Sequence, residues 1–297
     1  MRLTVLDHGL RVASRAMPGL GTAAVGLYAD CGSRHEPARL GGIAHLFEHM
    51  LFKGAGGRSA RELSEAIEEV GGDLNACTER DGTSFTASVL AEHVPLAVEL
   101  LADMVLRPHF AEAELVREKD VVLQELGEAR DTPGDIIFDE LWEAAFEGQP
   151  IGRSILGDEA SVARVGVADL HDWRLSRYRA GSLTLVAAGK VEHEALVELA
   201  ARHFEALPGG RAEPPAPARF TGGARVGRTP SEQAHVALAF PAPAQLDADH
   251  MPARLFCDVL GGGASSRLFQ QLREERGLAY SVYSALQPYA DAGLFYI

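Results

Sequence analysis

The stretch GGIAHLFEHMLFKG, residues 41–54, decides how the rest of the chain is read. Its centre is apolar almost all round, which predicts a helix buried inside a core rather than laid on a surface. His45 and His49 are four apart, so they lie one above the other on a single helix face, and Glu48 stands beside His49. Both imidazoles can reach one metal ion from there, and Glu48 can reach a water on it.

Working outward, the stretch sits in a chain of 297 residues, which is about two domains' worth. The apolar fraction of 46% and charged fraction of 24% belong to an ordinary globular protein. A formal net charge of -14 argues against nucleic acid and against an anionic membrane surface, both being polyanions. Three cysteines, Cys31, Cys77 and Cys257, are few and lack metal-pair spacing, which points to a reducing compartment. No signal-peptide pattern opens the sequence and no run approaches the ~18 apolar residues of a membrane span. The expected location is cytoplasmic.

Upstream, Leu3 to Ala13 and Ala23 to Cys31 read as strands, with a turn region at Pro18-Gly19. Downstream, SARELSEAIEEVGG is a helix in which Ser59 and Glu62 form a capping box and Leu63, Ile67 and Val70 the inward stripe. Asp73 to Ala76 and Thr83 to Val89 look like paired strands. Helical patterns follow over about 92–106, 112–129, 136–146, 167–178 and 192–204, with the strand SLTLVAAG between the last two. The Pro/Gly-rich segment 208–223 has no hydrophobic period and reads as a linker between a domain over 1–207 and a second over 224–297. After it, Ala253 to Leu260 lines up with Ala44 to Leu51, and the order of elements repeats. In that second copy Arg254, Cys257 and Asp258 replace the metal triplet, and the copy ends early. The expectation is an α/β (α+β type) chain of two homologous domains, each an antiparallel or mixed sheet packed by helices, the second truncated.

The order H-x-x-E-H reverses the commoner H-E-x-x-H and is that of the inverted zinc peptidases. A catalytic zinc wants a third protein ligand, His, Asp or Glu, from another element. In EAELVREKDVVLQELGEAR, Leu115, Glu118, Val122, Glu125 and Leu126 fall on one helix face, embedding two carboxylates in a stripe that should be buried. Buried carboxylates are costly unless a cation or several donors compensate them. A zinc ion would compensate one of the two. For Glu118 a plain buried salt bridge is the rival role.

With these residues in hand, the chain resembles the pitrilysin, insulinase and mitochondrial processing peptidase family, in its short bacterial and organellar form. There the motif is completed by a glutamate about 76 residues on, as Glu125 follows His49, with an acidic residue seven before it, here Glu118. The resemblance implies His45, His49 and Glu125 as ligands of one Zn2+ and Glu48 as general base toward the attacking water. It implies Glu118 as a catalytic-site residue that orients a ligand histidine through its free N–H. GGDLNACT would be an edge strand that takes an extended peptide by strand addition, with Asn75 and Ala76 contacting the substrate backbone. In LREERGLAY, Arg273 and Tyr280 would grip substrate and stabilise the tetrahedral intermediate. Phe85, where the family often has a tyrosine, is a minor departure.

The resemblance thus implies a zinc metalloendopeptidase acting on extended peptides, unfolded protein segments or presequences. Its partners would be such a peptide and a second subunit, in a homodimer or a heterodimer with a related chain. The alternative is a noncatalytic peptide-binding or structural subunit of a processing-peptidase-like complex. The intact Glu48 speaks against that alternative, and the early end of the second copy speaks for it. The short second copy also reads as a fragment, or as a half that a partner completes.

Overall fold

The structure, a computed structural model, describes residues 1–228 and 231–297; residues 229 and 230, inside the expected second domain, lie outside the described residues. The strands are β1 (Arg2–Val5), β2 (Arg11–Ala16), β3 (Thr22–Ala29), β4 (Gly54–Ala55), β5 (Arg58–Ser59), β6 (Asp73–Thr78), β7 (Thr83–Leu90), β8 (Leu183–Gly189), β9 (Ala239–Ala242), β10 (Ala285–Pro288) and β11 (Gly293–Tyr296). The helices are α1 (Ile43–Leu51), α2 (Ala60–Glu68), α3 (Val94–Leu106), α4 (Glu112–Asp131), α5 (Pro133–Ala145), α6 (Glu159–Arg164), α7 (Val167–Arg177), α8 (His193–His203) and α9 (His250–Gly261). No helix among the described residues is long and apolar enough to cross a membrane.

Two compact units form, one from residues 1–126 and 154–215, the other from residues 127–153 and 216–297. In the first, six strands run in the order β1-β2-β8-β3-β7-β6. The sheet is mixed: β2 and β8 are parallel, and every other neighbouring pair is antiparallel. Alternation decides its faces. Ala23, Val25, Leu27 and Ala29 of β3 and Phe85, Ala87 and Val89 of β7 are buried in the core, together with α1 and α3. Tyr28, between two core positions of β3, is exposed on the opposite face.

Leu3 to Ala13, expected as one strand, is a hairpin. Asp7-His8-Gly9 turns the chain, with Gly9 at φ 109° and its N–H donating to the Leu6 carbonyl at 2.8 Å. The same apolar-polar alternation, Leu3-Thr4-Val5 and Leu10-Arg11-Val12, stands on both sides of this short turn, which is why the two strands read as one.

In the second unit three antiparallel strands lie in the order β10-β11-β9. β9, α9, β10 and β11 reproduce the order of β3, α1, β6 and β7, and their sheet order matches β6-β7-β3 as well. α5 packs with this unit, whereas the sequence reading groups its residues with 1–207. Its aromatic side chains account for that. Phe138 and Trp142 meet Tyr296 at 5.6 and 5.3 Å between ring centroids, and Leu141, Trp142 and Ala145 share a core with Tyr289 and Leu294. On the other face of β11, Phe295 meets Phe256 of α9 at 5.7 Å. The segment read as a linker has no regular structure and is divided between the units after residue 215.

Candidate metal centre

α1 is short, and its burial is nearly complete: Ile43, Ala44, Leu46, Phe47, Met50 and Leu51 are all in the core. Phe47 packs on Tyr178 and Phe110, at 4.8 and 5.6 Å between ring centroids. What remains on the open face is His45, Glu48 and His49, at i, i+3 and i+4. The helix begins at Gly42, whose φ of 87° favours glycine, and a Cβ there would lie 2.5 Å from the Leu156 carbonyl oxygen. The buried Glu36 carboxylate accepts from the N–H groups of Gly42 and Ala44, at 2.9 and 2.8 Å. Glu36 thus caps the helix that carries the histidines.

α4 brings the third group. Leu115, Glu118, Val122 and Leu126 are buried, as the stripe predicts, and Glu125 is half-buried beside them. Glu125 Oε2 lies 3.8 Å from Nε2 of His45 and 3.8 Å from Nε2 of His49. Among the described residues, His45, His49 and Glu125 are the only group of three or more His, Cys, Asp or Glu side chains whose ligand atoms come within 4.8 Å of one another. Three donors about 2.0–2.2 Å from one tetrahedral ion stand roughly 3.3–3.5 Å apart, so this set fits zinc with a small contraction.

The surrounding charges prepare the donors. Burial first, then the neighbouring His49, lowers the His45 pKa to about 4, so its imidazole is neutral, the form a metal requires. His49 Nδ1 is 3.1 Å from Glu118 Oε2, which leaves Nε2 free to face Glu125. Glu118 also pairs with Lys53 Nζ at 2.8 Å, so the salt bridge weighed as a rival role coexists with the histidine contact. His45 Nδ1 is buried without a hydrogen-bond partner. The orienting contact therefore belongs to one ring of the pair. Burial raises the Glu48 pKa, and the hydrogen bond from the Thr78 hydroxyl works in the opposite direction.

β6 ends the six-stranded sheet as an edge strand, and it passes α1. Asn75 is exposed on it, and its Oδ1 accepts from the Ala76 N–H at 2.8 Å. Arg273 and Tyr280 belong to the second unit. There the Arg273 guanidinium lies 5.4 Å from the Tyr280 ring centroid, and Tyr280 is 85% exposed. Arg273 sits in a short π-helical turn, Phe269–Glu274, where the sequence reads as a regular amphipathic helix. In α9, Cys257 is buried and Arg254 and Asp258 are 3.7 Å apart, an i,i+4 ion pair in place of a metal triplet. Sequence reasoning missed Glu36, Lys53 and Thr78. Each is a lone polar residue with no periodic signal, although Lys53 lies within the stretch that opened the reading.

Comparison with known proteins agrees with this architecture. Residues 11–159 match the family model described as insulinase (peptidase family M16), and residues 164–297 match the M16 inactive domain. An uncharacterized zinc protease of Mycobacterium bovis is 42% identical over 301 residues, covering 98% of this chain and 68% of the relative. The mitochondrial-processing peptidase subunit beta of Lentinula edodes is 35% identical over 309 residues, covering 99% of this chain and 66% of that protein. A protease from Helicobacter pylori, of solved structure, shares the fold with a TM-score of 0.92 at 24% identity, over 99% of this chain and 73% of its own.

Proposed function

The chain belongs to the insulinase family of peptidases, M16, and from that premise we propose that it is a zinc metalloendopeptidase cleaving extended peptides or unfolded protein segments. The convergence of two histidines and a glutamate from helices far apart in sequence, with the Glu48 carboxylate beside them on the same helix face, carries this reading. His45, His49 and Glu125 would hold the ion. Bound zinc would supply a Lewis acid for the scissile carbonyl and for the attacking water.

The remaining work falls to the chain's own groups. Glu48 takes the proton of the attacking water and returns it to the leaving amide nitrogen. Glu118 keeps the His49 ring turned so that Nε2 faces Glu125, and Lys53 holds Glu118 in turn. The β6 edge offers main-chain partners to an extended peptide, with Asn75 and Ala76 at its centre. Edge pairing reads backbone rather than side chains, so cleavage preference would be broad. Arg273 and Tyr280 are assigned to gripping the peptide and donating to its oxyanion by their resemblance to the Arg and Tyr the family carries at that spacing. Domains over 1–207 and 224–297, joined by 208–223, remain our reading of the evolutionary duplication. Pairing with a second copy or a related subunit draws support from the relative that is itself named a subunit. The retained Glu48 favours a catalytic over a purely structural role.

The test is mass-spectrometric cleavage of a mixed peptide pool by the wild type and by Glu48→Gln, with zinc content measured in both. Cleavage confined to the wild type, with equal zinc, is the expected result. Equal cleavage by the two would overturn Glu48 as the base, and loss of zinc from Glu48→Gln would make it a ligand instead.

A further inference from the structure

Glu48 reaches into the site from the last turns of α1, and nothing in α1 itself orients its carboxylate. The partner comes from β6. The Thr78 hydroxyl donates to Glu48 Oε2. Thr78 is the last residue of β6, buried, and pinned opposite Thr83 of β7. Its neighbour in the pairing is fixed too, because the Thr83 hydroxyl donates to the Cys31 carbonyl at 2.9 Å. The acceptor carboxylate therefore meets a donor whose own position is set by the sheet.

We infer that Thr78 is a positioning residue for Glu48, holding the carboxylate in place from the same edge strand that would bind the peptide. The inference rests on the reading of Glu48 as general base. A threonine three residues beyond Asn75 on one strand links peptide docking and base placement in a single rigid element. A carboxylate with a fixed hydrogen bond on one oxygen has fewer rotamers open to it, and its other oxygen stays free for a proton.

The test compares Thr78→Val, which keeps shape and removes the donor, with Thr78→Ser, which keeps the donor. Metal-free crystal structures give a readout independent of turnover. In Thr78→Val the Glu48 side chain is expected to leave its position while residues 43–51 and 73–78 keep their backbone. In Thr78→Ser it should stay. For cleavage, Thr78→Val should lose roughly 10- to 100-fold in kcat, the worth of one hydrogen bond to a charged group, with KM and zinc content little changed. Thr78→Ser should recover to within about threefold of the wild type. An unmoved Glu48 in Thr78→Val, or wild-type kcat there while Glu48→Gln is dead, overturns the inference alone. Turnover by Glu48→Gln overturns the reading beneath it. Should Thr78→Val fail to fold, Thr78→Ala provides the same removal of the donor at smaller volume.

Discussion

His35 shows how a single buried ring ties stability to pH. Its Nδ1 accepts from the Gly32 N–H at 3.1 Å, which requires a neutral imidazole. Burial first, and then the nearby Arg177 guanidinium, lowers its pKa from 6.5 to about 4. Between those values the unfolded chain binds more protons than the folded one, so stability rises with pH through that window. It should be full above about pH 6.5 and fall as the pH drops toward 4, by up to roughly 3 kcal/mol for this group. Denaturant unfolding at pH 7 and pH 5 measures the slope. His35→Asn, whose amide oxygen can accept the same bond, should flatten it, and an undiminished slope in that variant would assign the effect to other groups.

At the scale of elements, α1 illustrates how a helix too short to persist alone is held in place. Nine residues are marginal in water. Its first N–H groups lie in the core, where water cannot satisfy them, and Glu36 takes two of them while placing a negative charge at the positive end of the helix. Glu36→Ala should therefore cost about 2 kcal/mol in unfolding free energy, the upper range for a lost cap. Glu36→Gln, which keeps an acceptor, should cost less. Equal losses in the two variants would show that the charge, rather than the acceptor, is what matters there. Much of α1 and α4 is legible in sequence because i,i+3 and i,i+4 spacing alone puts His45, Glu48 and His49 on one face and Glu118 and Glu125 along another. Glu36 is not legible in that way, since a cap lying six residues before Gly42 belongs to no helical pattern.

Across the whole molecule, the proposed ion would join α1 and α4, whose ligands His49 and Glu125 are 76 residues apart. A ligand that binds only the folded state stabilises it by mass action, about 2.7 kcal/mol at a hundredfold excess over its dissociation constant. Added zinc should raise the melting temperature of the metal-free wild type and leave that of Glu125→Ala unmoved. A matching rise in both would place the third ligand elsewhere. The two-unit division also belongs to this scale. Residues 127–153 are contiguous with the part of the chain that carries His45, His49 and Glu125, yet Phe138, Leu141 and Trp142 bury themselves with Tyr289, Leu294 and Tyr296.

Periodicity and spacing in the sequence encode a buried helix presenting two histidines and a glutamate, a second helix with two embedded carboxylates, a pair of strands at Asp73 to Ala76 and Thr83 to Val89, and a weak internal repeat. These are readable because each is a local pattern in which side-chain direction follows from backbone geometry. It takes the packed chain to bring Glu125 to both Nε2 atoms, to let Lys53 and His49 share Glu118, to set Thr78 against Glu48, and to bury α5 with the second unit. Those contacts join residues as far apart as Phe138 and Tyr296, and no local rule selects among partners at that range. The packed core makes the selection, because it leaves each buried donor or charge few acceptors within reach and penalises any left unpaired.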